Sequence, residues 1–110
     1  MEILDLKKDD VVILVIKGRL DALTSPELSE KISKTIAGGV TKLILDLKNL
    51  DYISSAGVRV IYCAWNEIDD KQGKLALAAP NQNIKRVFDM VDLSSDFPIF
   101  DDVDEALKHL

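Results

Sequence analysis

Ser54 and Ser55 are the residues of this chain whose type and position best suit chemistry. They follow a predicted buried strand at residues 43–47 and stand where a helix is predicted to begin. A serine at that point can cap the free backbone N–H groups of the first helical turn. The same N–H groups and the helix dipole favour negative charge, so a phosphate is tolerated there as well. The pair is therefore a candidate for two roles, a helix cap and a phosphate acceptor.

A catalytic role for these serines is not expected, because the partners of a catalytic serine are missing from the sequence. The only histidine is His109, close to the last residue, where chains usually fray. The single cysteine, Cys63, excludes a multi-cysteine zinc site, and the consecutive pairs of aspartates are typical of solvated turns. We expect no enzyme, no metal and no cofactor.

Composition and charge indicate an acidic globular protein. The 110 residues carry a formal net charge of -5, with 47% hydrophobic and 30% charged residues. Lysines and arginines form no cluster of the kind that nucleic acids bind. The N-terminus lacks a basic segment followed by an apolar run, and the longest apolar run, at residues 11–16, is too short to span a bilayer. We expect a cytoplasmic protein that neither binds nucleic acid directly nor inserts into a membrane.

Strands and helices are predicted to alternate along the chain. The unbroken β-branched run at residues 11–16 predicts a strand that is buried on both faces and ends at Gly18. The sequence Thr24-Ser25-Pro26 predicts a helix start with a hydroxyl cap. Further strands are predicted near residues 3–6, 74–78 and 97–100, and further helices near 55–71, 81–91 and 102–107. This order predicts a single α/β domain over residues 1–110, with a mostly parallel central sheet of four to five strands, a leading antiparallel edge strand and about four helices.

Three aspartates are expected near the serine pair. Asp21 follows the second strand, Asp46 closes the third, and Asp51 lies in the segment after it. Because loops at the carboxyl ends of parallel strands gather at one edge of a sheet, all three could share a crevice with Ser55. For Asp21 the pattern leaves two interpretations open, a turn residue or a functional acid.

The helix that starts at Ser55 is predicted to have an apolar outer face. A count of about 100° per residue around the helix axis divides its residues into a stripe that faces the core and a face that points outward. The core stripe comprises Val58, Ile61, Tyr62, Trp65 and Ile68, and the outer face comprises Ala56, Arg59, Val60, Cys63 and Glu67. Such a face is either a scatter of surface hydrophobes or a docking surface that begins next to Ser55.

Two sequence segments carry a resemblance to a known family. Gly18-Arg-Leu-Asp-Ala22 and Asp46-Leu-Lys-Asn-Leu-Asp-Tyr-Ile-Ser-Ser-Ala-Gly-Val-Arg59 resemble the STAS domain of anti-sigma factor antagonists, and the likeness extends over essentially the full length. The resemblance implies a non-enzymatic switch. The unphosphorylated domain of that family binds an anti-sigma factor that is itself a serine kinase, and the sigma factor is released. Phosphorylation of one serine at the helix start breaks the complex, and a separate serine phosphatase resets it.

Carried over residue by residue, the resemblance places the phosphoserine on Ser55, with Ser54 as the alternative. Ser54 stands where some family members have aspartate, and Ala56 stands where they have serine. The resemblance also implies that Asp21 faces the kinase. The predicted partner-binding set is Asp21, Ser54, Ala56, Gly57, Arg59, Val60 and Cys63.

A second hypothesis places the chain in another functional class. On the same scaffold, the crevice near Asp21 and the serine helix would hold a small ligand or a nucleotide, or the domain would serve as an adaptor to a transport system. The sequence has no glycine-rich phosphate loop to support this hypothesis, so it ranks second.

Overall fold

The computed structural model describes residues 1–110, with the side chain of Ser94 excepted. The backbone forms six strands, four α-helices and one 3-10 turn at Leu93–Ser95. The strands are β1 (Glu2–Lys8), β2 (Val11–Leu20), β3 (Lys42–Asp46), β4 (Leu50–Ile53), β5 (Lys74–Ala78) and β6 (Ile99–Phe100). The helices are α1 (Ser25–Ala37), α2 (Ser55–Asp70), α3 (Gln82–Met90) and α4 (Val103–Lys108).

The six strands form one mostly parallel sheet. Its order is β1-β2-β3-β5-β6, and β4 pairs with β2. β1 runs antiparallel to β2, whereas the other ladders are parallel. The prediction of an α/β fold with a leading antiparallel edge strand is therefore confirmed.

β2 is longer than predicted, because Gly18 bends the strand instead of ending it. Gly18 has φ +107, which glycine adopts without strain, and the register with β4 shifts between Gly18 and Arg19. Beyond this irregularity the strand continues, and Leu20 pairs with Ile53 of β4. The prediction that the strand ends at Gly18 was therefore wrong by two residues.

β4 is the strand that the sequence did not predict, and it raises the strand count above the expected four to five. It takes the place of β3 beside the second half of β2. Leu50 and Ile53 are buried, while Asp51 and Tyr52 between them are exposed. That burial order does not follow the two-residue alternation that marks a half-buried strand. Because β4 ends one residue before Ser54, it fixes where α2 begins.

The core lies on both faces of the sheet. The side chains of Leu14, Ile16, Leu43 and Leu45 join the larger cluster with α1, α2 and α3. The alternate side chains of Ile13, Val15 and Ile44 join a smaller cluster under α4. A strand covered on both faces needs apolar residues at every position, which explains the unbroken run in β2. Within the described part of the chain, no helix is long and apolar enough to cross a membrane.

Candidate partner-binding surface

Ser54 is the N-cap of α2. Its backbone is extended (φ -98, ψ 176), and its Oγ accepts a hydrogen bond from the Gly57 N–H at 3.4 Å. Its own N–H donates to the Leu20 carbonyl at 2.9 Å, so the residue is tied to β2 as well as to the helix. The expectation that Ser55 could itself be the cap was wrong, because the chain turns into the helix one residue earlier.

Ser55 is the first residue of α2, and it is exposed. Among the side chains that the structure describes, none forms a hydrogen bond with its hydroxyl. The first turn of α2 contains no acidic residue, so no resident carboxylate offsets the partial positive charge of this helix end. The position can therefore receive an anionic group without displacing an existing contact.

Gly57 is a packing residue and does not reach the surface. It is buried, and a Cβ at this position would lie 2.7 Å from Ile53 Cγ1 and 2.8 Å from Leu20 Cγ. Glycine thus lets the first turn of α2 lie directly against the ends of β2 and β4. Gly57 was predicted to contact a partner, and its burial contradicts that prediction.

Val60 is also buried, with 9% of its surface exposed, so the prediction that it lies on the outer face of α2 was wrong. The helix packs against α1 as well as against the sheet. This second contact is marked by the Ser33 hydroxyl, which donates to Glu67 Oε1 at 3.0 Å. Val60 lies two turns before Glu67 on that same side. The outer stripe of α2 is instead Ser55, Arg59 and Cys63, at a spacing of four residues, with Ala56 half-buried beside it.

Asp21 begins the loop between β2 and α1 and organises it. Its Oδ1 accepts hydrogen bonds from the N–H groups of Leu23 (3.0 Å) and Thr24 (3.1 Å) and lies 3.2 Å from the Thr24 hydroxyl oxygen. These bonds, above all the one from the Thr24 N–H, lower the pKa of the Asp21 carboxyl below 3.8. The second carboxylate oxygen, Oδ2, accepts no hydrogen bond from any residue that the structure describes, so it remains available as a charged acceptor.

Thr24 therefore has a different role from the predicted one. It occupies the N-cap position of α1, but its side chain does not cap the helix. Its hydroxyl accepts a hydrogen bond from the Asp21 N–H at 2.9 Å and donates a hydrogen bond to the Arg19 carbonyl at 2.8 Å. The hydroxyl closes the loop instead.

The serine pair and the Asp21 loop are neighbours in space. Asp21 directly follows Leu20, whose carbonyl accepts the Ser54 N–H. Asp46, also expected near Ser55, uses its Oδ1 to accept the Lys48 N–H at 3.1 Å within the turn between β3 and β4. Asp51 lies in β4, exposed. The turn interpretation thus holds for Asp46, while Asp21 has both a turn role and a free oxygen.

Two exposed side chains at this edge were missed by sequence reasoning. Leu23 is 90% exposed and Tyr52 is 41% exposed. The Arg19 guanidinium lies 4.3 Å from the centre of the Tyr52 ring, which holds the ring at the surface. Leu23 could have been found from the sequence, because it is an apolar residue within the polar turn that begins at Asp21. Tyr52 could only have been found by recognising β4.

Comparison with known proteins places this chain in a family. A family model described as the STAS domain matches residues 3–106. The anti-sigma F factor antagonist of Paenibacillus polymyxa is 32% identical over 101 residues, which cover 91% of this chain and 86% of that protein.

Two solved structures show the same fold. The crystal structure of a candidate anti-sigma factor antagonist from Thermotoga maritima has a TM-score of 0.93 and 26% identity, covering 97% of this chain and 92% of that one. The Bacillus cell fate determinant SpoIIAA, solved in its phosphorylated form, has a TM-score of 0.76 and 22% identity, with 98% of each chain covered. The family match, the relative and the residues 18–22 and 46–59 agree: the chain belongs to the STAS-domain family of anti-sigma factor antagonists.

Proposed function

We propose that the chain is a phosphorylation-switched protein-binding module. In its unphosphorylated form it binds an anti-sigma factor that is a serine kinase, frees the sigma factor, and so regulates transcription indirectly in the cytoplasm. The observation that carries the proposal is the position of Ser55, exposed at the start of α2 with a hydroxyl that forms no hydrogen bond with the described residues.

Ser55 suits phosphorylation better than Ser54 for a physical reason. A kinase must reach the acceptor hydroxyl, and Ser54 is half-buried with its Oγ engaged at Gly57. Modifying Ser54 would also disturb the bond that starts the helix. Ser55 has neither constraint, so the alternative assignment to Ser54 is disfavoured.

The partner-binding surface that we propose surrounds Ser55. We name it the α2 surface, and its members are Asp21, Leu23, Tyr52, Ser54, Ser55, Ala56, Arg59 and Cys63. It combines exposed apolar area at Leu23 and Tyr52 with a free carboxylate oxygen at Asp21 and a cation at Arg59. Exposed apolar side chains rimmed by charges are typical of protein-docking sites. Gly57 and Val60 support this surface from below and are not themselves contacts.

A phosphate on Ser55 would change the α2 surface without changing the fold. It adds between one and a half and two negative charges, at about pH 7, beside Asp21 and at the first turn of a helix that favours anions. The folded chain therefore tolerates the group. A partner that docks on the neutral hydroxyl must desolvate the phosphate, and this cost breaks the complex.

The remaining parts of the proposal follow from exposure and family. A phosphoserine at an exposed first turn is accessible to a serine phosphatase, which would reset the switch. STAS-domain anti-sigma factor antagonists are regulatory binding proteins, and we propose that this chain likewise has no catalytic activity of its own. A Bacillus protein of the same fold was solved in a phosphorylated form, so the fold is compatible with the modification.

No specific observation favours the ligand-binding alternative. Five open clefts of about 260 to 500 Å³ lie on the surface, and neither Asp21 nor Ser55 lines any of these five. A nucleotide that contacts Asp21 and Ser55 would therefore have to bind outside all five of these clefts, whereas small ligands usually bind in concave pockets.

Phosphate mapping tests the acceptor. The chain is incubated with ATP and the anti-sigma kinase of its own organism, and phosphate is located by tandem mass spectrometry in the wild type, Ser54→Ala and Ser55→Ala. We expect phosphate on Ser55 in the first two proteins and none in the third. Phosphate on Ser54, or only at a distant residue, would refute the assignment.

Binding measurements test the switch. Ser55→Asp places a negative charge at the acceptor, and we expect it to weaken binding to the kinase by tenfold or more. The matched control is Asn66→Asp, which adds the same charge at an exposed position farther along α2 and should bind as the wild type does. Equal loss in both variants would show that net charge matters and the position does not. Undiminished binding by Ser55→Asp would remove the switch.

A further inference from the structure

β1 forms one outer edge of the sheet. β1 pairs with β2 over seven consecutive residues without a bulge, and it is the terminal strand of the sheet. It also contains no proline. Natural proteins usually blunt an edge strand with a bulge, a proline, a very short length or charged side chains. β1 has none of the first three devices, and its four charges are of both signs: Glu2, Asp5, Lys7 and Lys8.

The backbone groups that face outward on β1 belong to Ile3, Asp5 and Lys7. The Gly18 N–H donates to the Asn49 carbonyl beside β4, so the even-numbered residues of β2 point away from β1. The odd-numbered residues of β2 then bond to β1, opposite Glu2, Leu4, Leu6 and Lys8. The two-residue turn at Asp9-Asp10 supports the same assignment. Such a turn is closed by a hydrogen-bonded pair of residues, here Lys8 and Val11, so Lys8 is bonded to β2.

The side chains on one face of this edge are apolar and uncovered. Leu4 is 58% exposed and Leu6 is 51% exposed. They lie opposite Val15 and Ile13, which belong to the cluster beneath α4. The cover that α4 provides therefore ends at β2, and two leucines on β1 remain in solvent.

The order of charges along β1 fits a second copy of the same strand. We propose that β1 pairs antiparallel with β1 of a second copy, around a two-fold axis at Asp5. Glu2 then faces Lys8 of the second copy, Leu4 faces Leu6, and Ile3 faces Lys7, with each pair occurring twice. The outward groups of Ile3, Asp5 and Lys7 complete a ladder of six hydrogen bonds, because three residues on each copy contribute two groups each.

The axis at Asp5 is favoured over the neighbouring registers. A shift of one pair toward the turn places Leu4 against Lys8 and Glu2 against Asp10, and the opposite shift places Glu2 against Leu6. The shift toward the turn gains two Asp5–Lys7 pairs but also sets Glu2 against Asp10 twice. Both shifts lose the two Glu2–Lys8 pairs and the two Leu4–Leu6 pairs, and like or unmatched residues in directly opposed positions weaken a ladder. The axis at Asp5 also uses the full length of β1.

The cost of this register is one contact between like charges, Asp5 against Asp5. Each Asp5 carboxylate already has a cation, because Lys31 Nζ lies 2.5 Å from its Oδ2. Lys7 is the next residue on the same face of β1. The two carboxylates would therefore meet among four lysines, two from each copy, which offsets their repulsion.

The proposed dimer leaves the α2 surface free. α1 is the helix beside β1, since Lys31 of α1 holds Asp5, whereas α2 lies on the other side of α1 and packs against β5. Each dimer would present two α2 surfaces and could engage two partner molecules. Each copy has only one β1 edge, so the two-fold pairing closes and does not propagate into a fibre.

Charge exchange tests the register by sedimentation velocity across a range of protein concentrations at low salt. We expect the wild type to shift from monomer to dimer as its concentration rises. Glu2→Lys alone and Lys8→Glu alone each create two like-charge pairs and should weaken dimerisation about tenfold or more. The double variant restores both pairs, and so does an equimolar mixture of the two single variants, which should form the heterodimer. Both substituted residues are exposed, so circular dichroism should be unchanged.

Asp101→Lys is the matched control, because it makes the same charge change at an exposed residue beside β6; it should dimerise as the wild type does. A chain that stays monomeric at every concentration would overturn the proposal. So would a dimer that is indifferent to Glu2→Lys, or single variants that the exchange fails to rescue.

Discussion

The two adjacent serines should respond in opposite ways to replacement by alanine. Ser54→Ala removes the oxygen that accepts the Gly57 N–H and leaves that group without its cap. Ser55→Ala removes a hydroxyl that forms no hydrogen bond with a described residue and introduces the best helix former at the first helical position. We expect Ser54→Ala to destabilise the fold and Ser55→Ala to leave it unchanged.

The magnitude follows from the geometry of the cap. Replacing a serine cap by alanine typically costs about 0.5–2 kcal/mol. The 3.4 Å separation between Ser54 Oγ and Gly57 N is longer than an ordinary N–H···O bond, so the loss should fall in the lower part, about 0.5–1 kcal/mol. For a domain of this size that corresponds to a fall of roughly 2–4 °C in melting temperature. Ser55→Ala should stay within about 0.5 kcal/mol of the wild type.

Urea unfolding followed by circular dichroism at neutral pH measures both variants, and Ser54→Asp is the matched control. Aspartate is as good a cap as serine, so this third variant should recover the wild-type stability. If Ser55→Ala lost as much stability as Ser54→Ala, the assignment of the cap would be wrong. If Ser54→Asp were as unstable as Ser54→Ala, loss of the cap could not be the cause of the instability, because aspartate supplies an equivalent capping oxygen.

Three further predictions concern the support of the α2 surface. Gly57→Ala should cost about 1–3 kcal/mol of unfolding free energy because its Cβ would lie 2.7 Å from Ile53 Cγ1; Gly38→Ala, where the nearest atom is 3.4 Å away, is the control and should be nearly neutral. Val60→Glu should lower the melting temperature sharply by burying an unpaired charge, while Arg59→Glu on the exposed stripe should not; equal melting temperatures would place Val60 at the surface. In the folded chain the pKa of the Asp21 carboxyl lies below its usual 3.8. The ionised carboxylate therefore stabilises the fold at pH values above 3.8, and this stabilisation is lost as the pH falls through the lowered pKa. Asp21→Asn keeps the turn acceptor but has no titration, so its stability relative to the wild type should improve under acid in urea titrations; a gap that does not vary with pH would contradict this.

The elements that the sequence predicted well are those with a strong local cause. β2 was found because both of its faces are covered, which requires apolar residues throughout. The start of α1 was found from Pro26 in its first turn. The antiparallel edge strand was predicted at residues 3–6, a short segment that directly precedes the buried run at residues 11–16. Each of these signals is contained in a few consecutive residues.

The errors share another cause, since each depends on a neighbour that is distant in sequence. β4 is a strand because the end of β2 offers it a partner, and its four residues carry no clear alternation. Val60 is buried because α2 touches a second helix, which a count on one helix cannot show. Gly57 is needed because Leu20 and Ile53 lie beneath it. Tertiary contacts decided all three cases.

The α2 surface shows why adjacent serines can divide two tasks that one serine would perform poorly. A residue that caps a helix must keep its oxygen on the backbone N–H, and a residue that accepts a phosphate must offer its oxygen to an enzyme. Ser54 is held by Leu20 on one side and Gly57 on the other, so the position of Ser55 is fixed without any bond from its own hydroxyl. The proposed modification of Ser55 then changes charge and hydration at the surface while every contact that starts α2 persists. Because the proposed phosphate displaces no hydrogen bond that starts α2, we expect most of its electrostatic and desolvation penalty to fall on the complex with the partner, which is the equilibrium that the proposed switch has to move.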